Sequence, residues 1–349
     1  MIRSLTTFAA CCVMAGAVYA AGPHGVTGSQ TVAEPRGDSV PRTGLYTIPS
    51  DSLLLRDPFV LADPASRLYY LPVRGGDARS FVAYESRDLH YWRALGPVFT
   101  PDDAFWGLSD YWAPDLLLHD GRYYIAATFS APGRGRGCSL LVADTPGGPY
   151  RPLTDGPVTP AGWTCLDATI YMDGDQPWLL FSREWLEVTD GQVWAMPLTR
   201  DLTAAAGDPV LLFSASDARW TAPITAYGVA GYVTDAPFIW RTDSGGLLML
   251  WSSFARLTKA DRAAGRTEGR YAIGAAWSPS GDLRGPWVHD RRALNTDDGG
   301  HAMIVRSFGG QPYISYHAPN SHPTRAVIRP VTIDARRRRV ILDSPTANP

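Results

Sequence analysis

The sequence predicts an all-β chain folded as a five-bladed β-propeller around a central active-site funnel. Three observations carry that prediction. One plan recurs five times: a short acidic or polar cluster, a strand, a turn, and an aromatic strand. The repeats recur every 50 to 70 residues or so, longer than the coils of a β-helix, and a β-sandwich does not repeat internally at such a period. Helical periodicity is nearly absent, the one helix-friendly stretch, residues 257–266, reading as an insertion loop.

Taken in order, residues 1–20 read as a signal peptide. Arg3 precedes an apolar, small-residue run, and Val18-Tyr19-Ala20 places small residues where a signal peptidase reads. This predicts export to the periplasm or the extracellular space. Residues 21–48, rich in Gly, Pro, Ser and Thr, read as a flexible leader, and residues 49–349 as the propeller. The first repeat opens with Arg56-Asp57-Pro58-Phe59 and turns at Asp63-Pro64. The second opens with Trp112-Ala113-Pro114-Asp115 and turns at Asp120-Gly121. The third opens with Leu166-Asp167-Ala168-Thr169 and turns at Asp173-Gly174. The fourth opens with Thr234-Asp235-Ala236-Pro237 and turns at Asp243-Ser244-Gly245-Gly246, and the fifth opens with Gly300-His301-Ala302 and turns at Gly309-Gly310. Further strand-like runs, such as Tyr271-Ala272-Ile273, follow these pairs.

Composition narrows the partners. A formal net charge of −2 argues against nucleic acid or an anionic membrane surface, and no later stretch is apolar enough to span a bilayer. Twelve Trp and sixteen Tyr suit both sheet packing and the apolar faces of sugars. Cys138 and Cys165, the cysteines left after signal removal, are open to either a disulfide or two buried thiols.

In a propeller the first residues of every inner strand emerge at one end of the channel. Asp57, Asp115, Asp167, Asp235 and His301 are therefore expected to ring the funnel mouth. Blades three and four are neighbours and blade one stands apart, so Asp167 and Asp235 pair while Asp57 faces them. Inverting glycoside hydrolysis needs this layout: one base with room for water and sugar, and one acid whose proton is retained by a nearby like charge. Single Asp residues beside Pro commonly cap turns; a ring of them near an axis is unfavourable without a task.

These five motifs, in order, resemble family 43 of the glycoside hydrolases, five-bladed propellers acting on arabinosyl, xylosyl and related linkages. The resemblance implies an inverting hydrolase acting on an oligosaccharide or polysaccharide. It makes Asp57 the general base and Asp167 the residue that tunes the acid. The family's acid is usually a Glu at the start of the fourth inner strand; Asp235 stands there, one methylene shorter, and Glu184 is the alternative acid. The resemblance implies no required cofactor, and a structural calcium near His301 as an option. Arg56, Trp106, Trp112, Asp115, Arg183, Trp185 and His301 are candidate substrate contacts, with Arg183 alternatively an ion-pair partner of Glu184. Long loops at 101–111, 214–232 and 255–270 are expected to close the funnel into an exo-acting pocket releasing arabinofuranose, galactofuranose or xylose. The other class of reading is a glycan-binding propeller without catalysis.

Overall fold

The computed structural model describes residues 46–343; the signal segment and residues 21–45 of the leader lie outside the described residues. Among the described residues five antiparallel sheets of four or five strands follow one another along the chain, each built from a contiguous segment, and a two-stranded sheet, Ile224–Ala226 with Val229–Gly231, lies between the third and the fourth. Blade one runs from Leu61–Asp63 through Leu68–Arg74 and Phe81–Ser86 to Tyr91–Phe99. Ile48–Pro49 adds a fifth, outermost strand, with Ile48 opposite Trp92, so the last leader residue already belongs to the blade. The inner strands of the other blades are Ser109–His119, Cys165–Asp173, Asp235–Arg241 and Gly300–Arg306.

Each blade is covered on both faces by its neighbours, so its middle strands are buried throughout. Leu247–Phe254 and Tyr271–Ser278 of blade four are almost continuously buried for that reason. The core is accordingly a set of clusters between blades rather than one centre. Trp92, Trp251, Tyr111 and Tyr316 are among the largest fully buried side chains, which assigns much of the aromatic content to packing. Cys138 and Cys165 are both buried free thiols, packed in one cluster with Tyr124, Leu140 and Phe181.

The feature that positions the site is a bulge near the start of the inner strands. In blades two to five, three residue steps on the inner strand match two on its partner: Leu166 pairs with Ser182 and Thr169 with Leu180, Asp235 with Ser252 and Phe238 with Leu250. Gly300 pairs with His317 and Met303 with Ser315, and Trp112 with Thr128 and Asp115 with Ala126. The residue after the first of each pair is left-handed: Ala113 (φ 47°), Asp167 (φ 52°), Ala236 (φ 51°) and His301 (φ 57°), with Asp57 (φ 53°) its counterpart in blade one. This corrects the expected equivalence of the five mouth residues. Asp57, Asp167 and His301 share one step; Asp235 sits one residue before it and Asp115 two after.

The strained step is latched by the preceding blade. Thr128 Oγ1 accepts from the backbone N–H of Asp167 at 2.9 Å, and Ser252 Oγ from that of His301 at 2.8 Å. At ring closure the Asp57 N–H points at His317 Nδ1, 3.3 Å away, and Arg56 bonds the carbonyl and side-chain oxygens of Asn320. Ser182 holds the corresponding place between blades three and four, but its buried hydroxyl finds no partner among the described residues; there the Ala236 N–H donates to Asp167 Oδ2 at 3.2 Å.

Candidate active site

His301 lies at the centre of the acidic ring. Its Nδ1 stands 3.2 Å from Asp57 Oδ1 and 3.7 Å from Asp167 Oδ2, while Nε2 faces Asp115 Oδ1 at 3.9 Å. Burial opposes a charge on the ring, but the attraction of Asp57, Asp115 and Asp167 outweighs it and lifts the imidazole to about 10. The ring is therefore an imidazolium at neutral pH. Placing a cation among carboxylates converts a costly cluster into a compensated one.

The carboxylates separate into two protonation classes. Burial would raise Asp57, yet His301, His317 and Arg56 together hold it well below the usual carboxylate range. His317 Nδ1 is 3.1 Å from Asp57 Oδ1 as well as near its backbone nitrogen. Burial keeps this second imidazole neutral, so Nδ1 holds either a lone pair for the N–H or a proton for the carboxylate; the ionised carboxylate is the stronger partner, and Nδ1 donates to it. Asp167 goes the other way, pushed well up by burial and by the charges of Asp235, Asp57 and Asp115 despite His301. Asp235 is raised to about 6, chiefly by burial, with the Tyr271 hydroxyl and His301 pulling it back and Asp57 adding to the rise. Tyr271 donates that bond to Asp235 Oδ2 at 2.8 Å. Asp115 is also raised, by burial.

Tyr271 and His317 are the residues that sequence reasoning missed. Tyr271 opens the third strand of blade four and stacks on His317, with ring centroids 5.8 Å apart and planes at 16°. Gly300 makes this stack fit: a Cβ there would come within 2.1 Å of the Tyr271 ring. Both residues sat inside ordinary strand patterns, and the paired glycines before His301 were the one sequence signal of a close approach.

Beside the ring, Glu184 is buried and ion-paired to Arg136, whose Nε also reaches Asp110 Oδ2 at 3.1 Å. Burial raises Glu184 and the guanidinium opposes the rise. Arg136 lies over the Trp112 ring, 4.8 Å from its centroid, and was likewise not foreseen. Arg183 does not pair with Glu184; it bonds Glu187 at 2.5 Å and lies over Trp163 at 4.0 Å. Its charge is satisfied one helical turn along. Trp106 is half-buried with its indole N–H on Ser139 Oγ at 2.9 Å. Trp185 does not form a subsite wall: it is 5% exposed and packed with Ile224 and Val233. The residue directly after Glu184 turns into a helix, Trp185–Val188, which swings the indole inward.

The option of a structural calcium near His301 meets a ring already engaged by its neighbours. Calcium takes six to eight oxygens, and both ring nitrogens face carboxylates. Among the described residues no group of three or more His, Cys, Asp or Glu side chains is arranged to hold a metal.

An ionised and a proton-bearing carboxylate in one funnel of a five-bladed propeller are the elements of glycoside hydrolysis. Over residues 46–337 the sequence matches the family described as Glycosyl hydrolases family 43. The chain belongs to this family. As a family 43 member it is a glycoside hydrolase, and its substrate is a carbohydrate. It is similar to the endo-arabinase of Bacteroides thetaiotaomicron VPI-5482, with 49% identity, a TM-score of 0.78, and 83% of this chain and 98% of that chain covered. Two further solved structures share the fold. An alpha-L-arabinofuranosidase from Lactobacillus brevis has 16% identity, a TM-score of 0.63 and coverage of 81% and 92%. An endo-1,4-beta-xylanase from Bacteroides thetaiotaomicron VPI-5482 has 20% identity, a TM-score of 0.63 and coverage of 84% and 95%. No curated protein matches the chain.

Proposed function

We propose that this family 43 hydrolase cleaves arabinan by inversion, within the chain. Asp57 is the general base, Asp235 the general acid, and Asp167 the group that keeps the acid's proton in place. The observation that carries the reading is the split in protonation: Asp57 is held ionised between two imidazoles while Asp235, hydrogen-bonded to Tyr271, is raised to about 6. In the reaction Asp57 takes a proton from water as its oxygen attacks the anomeric carbon. The glycosidic C–O bond breaks with oxocarbenium character, and Asp235 gives its proton to the leaving oxygen. Glu184 is the weaker donor because Arg136 is already paired with it.

The substrate class rests on the endo-arabinase relative. Internal cleavage rests on the same relative, an endo-arabinase. Of the three loops expected to close the funnel, residues 109–111 belong to the inner strand of blade two. The other two stand together on the side of blades three and four, joined by a Thr221–Ala255 bridge and by Thr225 N–H on Glu268 Oε1. Blades one and two carry tight turns between their second and third strands, Gly75 bonding Ser80 and Arg134 bonding Ala131, together with the connections 100–108 and 153–164 that lead into the next inner strands. The test is hydrolysis of linear arabinan followed by NMR of the first-formed anomer and by sizing of early products. A retained anomer overturns the mechanism; arabinose as the sole early product replaces internal cleavage with exo action.

A further inference from the structure

The end of the propeller away from the funnel carries a cleft that the chemistry above leaves unused. It opens between blades four and five, encloses about 300 Å³, and its lining includes Thr242, Ser244, Leu247, Trp277, Ser278 and Arg338. The strand register places it at the far end. Thr242 and Ser244 lie in the turn after Arg241, the last residue of the fourth inner strand, and Ser278 pairs with Leu247 at the start of the next strand. Arg338 lies in the hairpin that joins Arg325–Asp334 to Arg339–Leu342, beyond the level where Pro330 faces Tyr313 and Tyr313 faces Val305. Asp235 and His301 stand at the opposite ends of those two inner strands, about 20 Å away along the strand.

The hairpin turn reads Asp334-Ala335-Arg336-Arg337-Arg338-Arg339, and all four arginines are exposed. Four like charges on neighbouring residues repel one another and oppose folding. Arg337 is offset by Asp334 at 2.9 Å; among the described residues Arg336, Arg338 and Arg339 form no ion pair. Asp290 is a carboxyl on which Arg338 acts, and it is already engaged. Trp277 Nε1 donates to its Oδ1 at 3.2 Å, and burial pushes it up while Trp277 and Arg338 pull it back. The turn thus carries more positive charge than the fold around it uses.

The walls of the cleft add groups that suit a sugar. Thr242 Oγ1 gives its proton to the Gly246 carbonyl at 2.9 Å, so Ser244 Oγ, 3.1 Å away, donates to Thr242 and keeps its lone pairs for an incoming hydroxyl. Leu247 and Trp277 supply apolar surface. The guanidinium fork of an arginine matches a carboxylate with two parallel hydrogen bonds. A cation, an accepting hydroxyl and an apolar wall, in a cleft at the small end of ligand sites, fit one sugar ring that carries a carboxylate.

We infer that this cleft is a second carbohydrate site, which holds a uronosyl unit of an acidic polysaccharide with its carboxylate on Arg338 and a ring hydroxyl on Ser244. The rest of the arginine turn draws in the neighbouring charged units. Because the two sites lie at opposite ends of the propeller, the hydrolase is held on an acidic polymer with its funnel free. The inference rests on the carbohydrate chemistry of the family and not on the arabinan reading.

The experiment measures binding to immobilised polygalacturonate, alginate and polyglutamate by biolayer interferometry, for the parent, Arg338→Gln and Ser244→Tyr. The parent binds at least one of the two polyuronates and not polyglutamate, which offers carboxylates without sugar. Arg338→Gln raises the dissociation constant about tenfold. Ser244→Tyr fills the cleft without changing the charge and weakens binding as much. Both side chains are exposed, so both variants melt with the parent. Binding is read without turnover, so a parent that leaves arabinan intact removes the arabinan reading and leaves this one standing. A parent that binds neither polyuronate, equal binding to polyglutamate, or parental binding by either variant overturns the site.

Discussion

Replacing Tyr271 with phenylalanine isolates the tuning of Asp235 from everything else in the funnel. The change removes one hydroxyl, which donates to Asp235 Oδ2 at 2.8 Å, and keeps the ring that stacks on His317 over Gly300. A hydrogen bond to a charged group contributes about 1.5–3 kcal/mol. The neutral acid retains part of that interaction, so about 1.4 kcal/mol, or one pH unit, separates the two protonation states. The bond favours the ionised acid, so its loss moves the acid upward from about 6. In a pH profile of kcat/KM the alkaline limb should shift up by about one unit. The acid limb, set by Asp57 far below the usual range, should stay in place. An alkaline limb that stays fixed or moves down refutes the assignment of Asp235 as the proton donor.

Four further outcomes follow from the same geometry. Asp57→Asn should lower kcat by about 10²–10⁴-fold, measured on linear arabinan. Asp235→Asn should lose activity on a comparable scale yet melt higher at pH 7–8. The folded acid titrates at about 6 rather than 3.8, so wild-type stability falls between those pH values, and removing the charge recovers about 3 kcal/mol. Glu184→Gln should cost less than tenfold in kcat while destabilising the fold, because it weakens the partner of buried Arg136; a loss as large as that of Asp235→Asn would exchange their roles. Trp185→Ala should destabilise by about 3–5 kcal/mol, read by thermal melting, and a wild-type melting temperature with a raised KM would return the indole to the substrate.

The repeat plan was legible because each blade must restate the same strand, turn and aromatic strand to bury both faces against its neighbours. Asp57, Asp167 and His301 were legible for the same reason: they occupy one repeated step. Asp235 was found through its motif, although its step differs from theirs. Arg136, Tyr271 and His317 left little trace, since each lies inside an ordinary strand pattern and meets the acids only across a blade boundary. Trp185 misled because an aromatic beside a buried acid reads alike whether it faces sugar or core.

By itself, the sequence determined a ring of five sheets and the residue types gathered at its mouth, because period and alternation are properties of the chain. Tertiary structure alone decided which carboxylate keeps its proton. That depends on distances between blades: two imidazoles beside Asp57, a phenol on Asp235, and a guanidinium on Glu184. Electrostatic energy falls with separation through space, and separation through space is what a bulge, a latch and a close-packed glycine set.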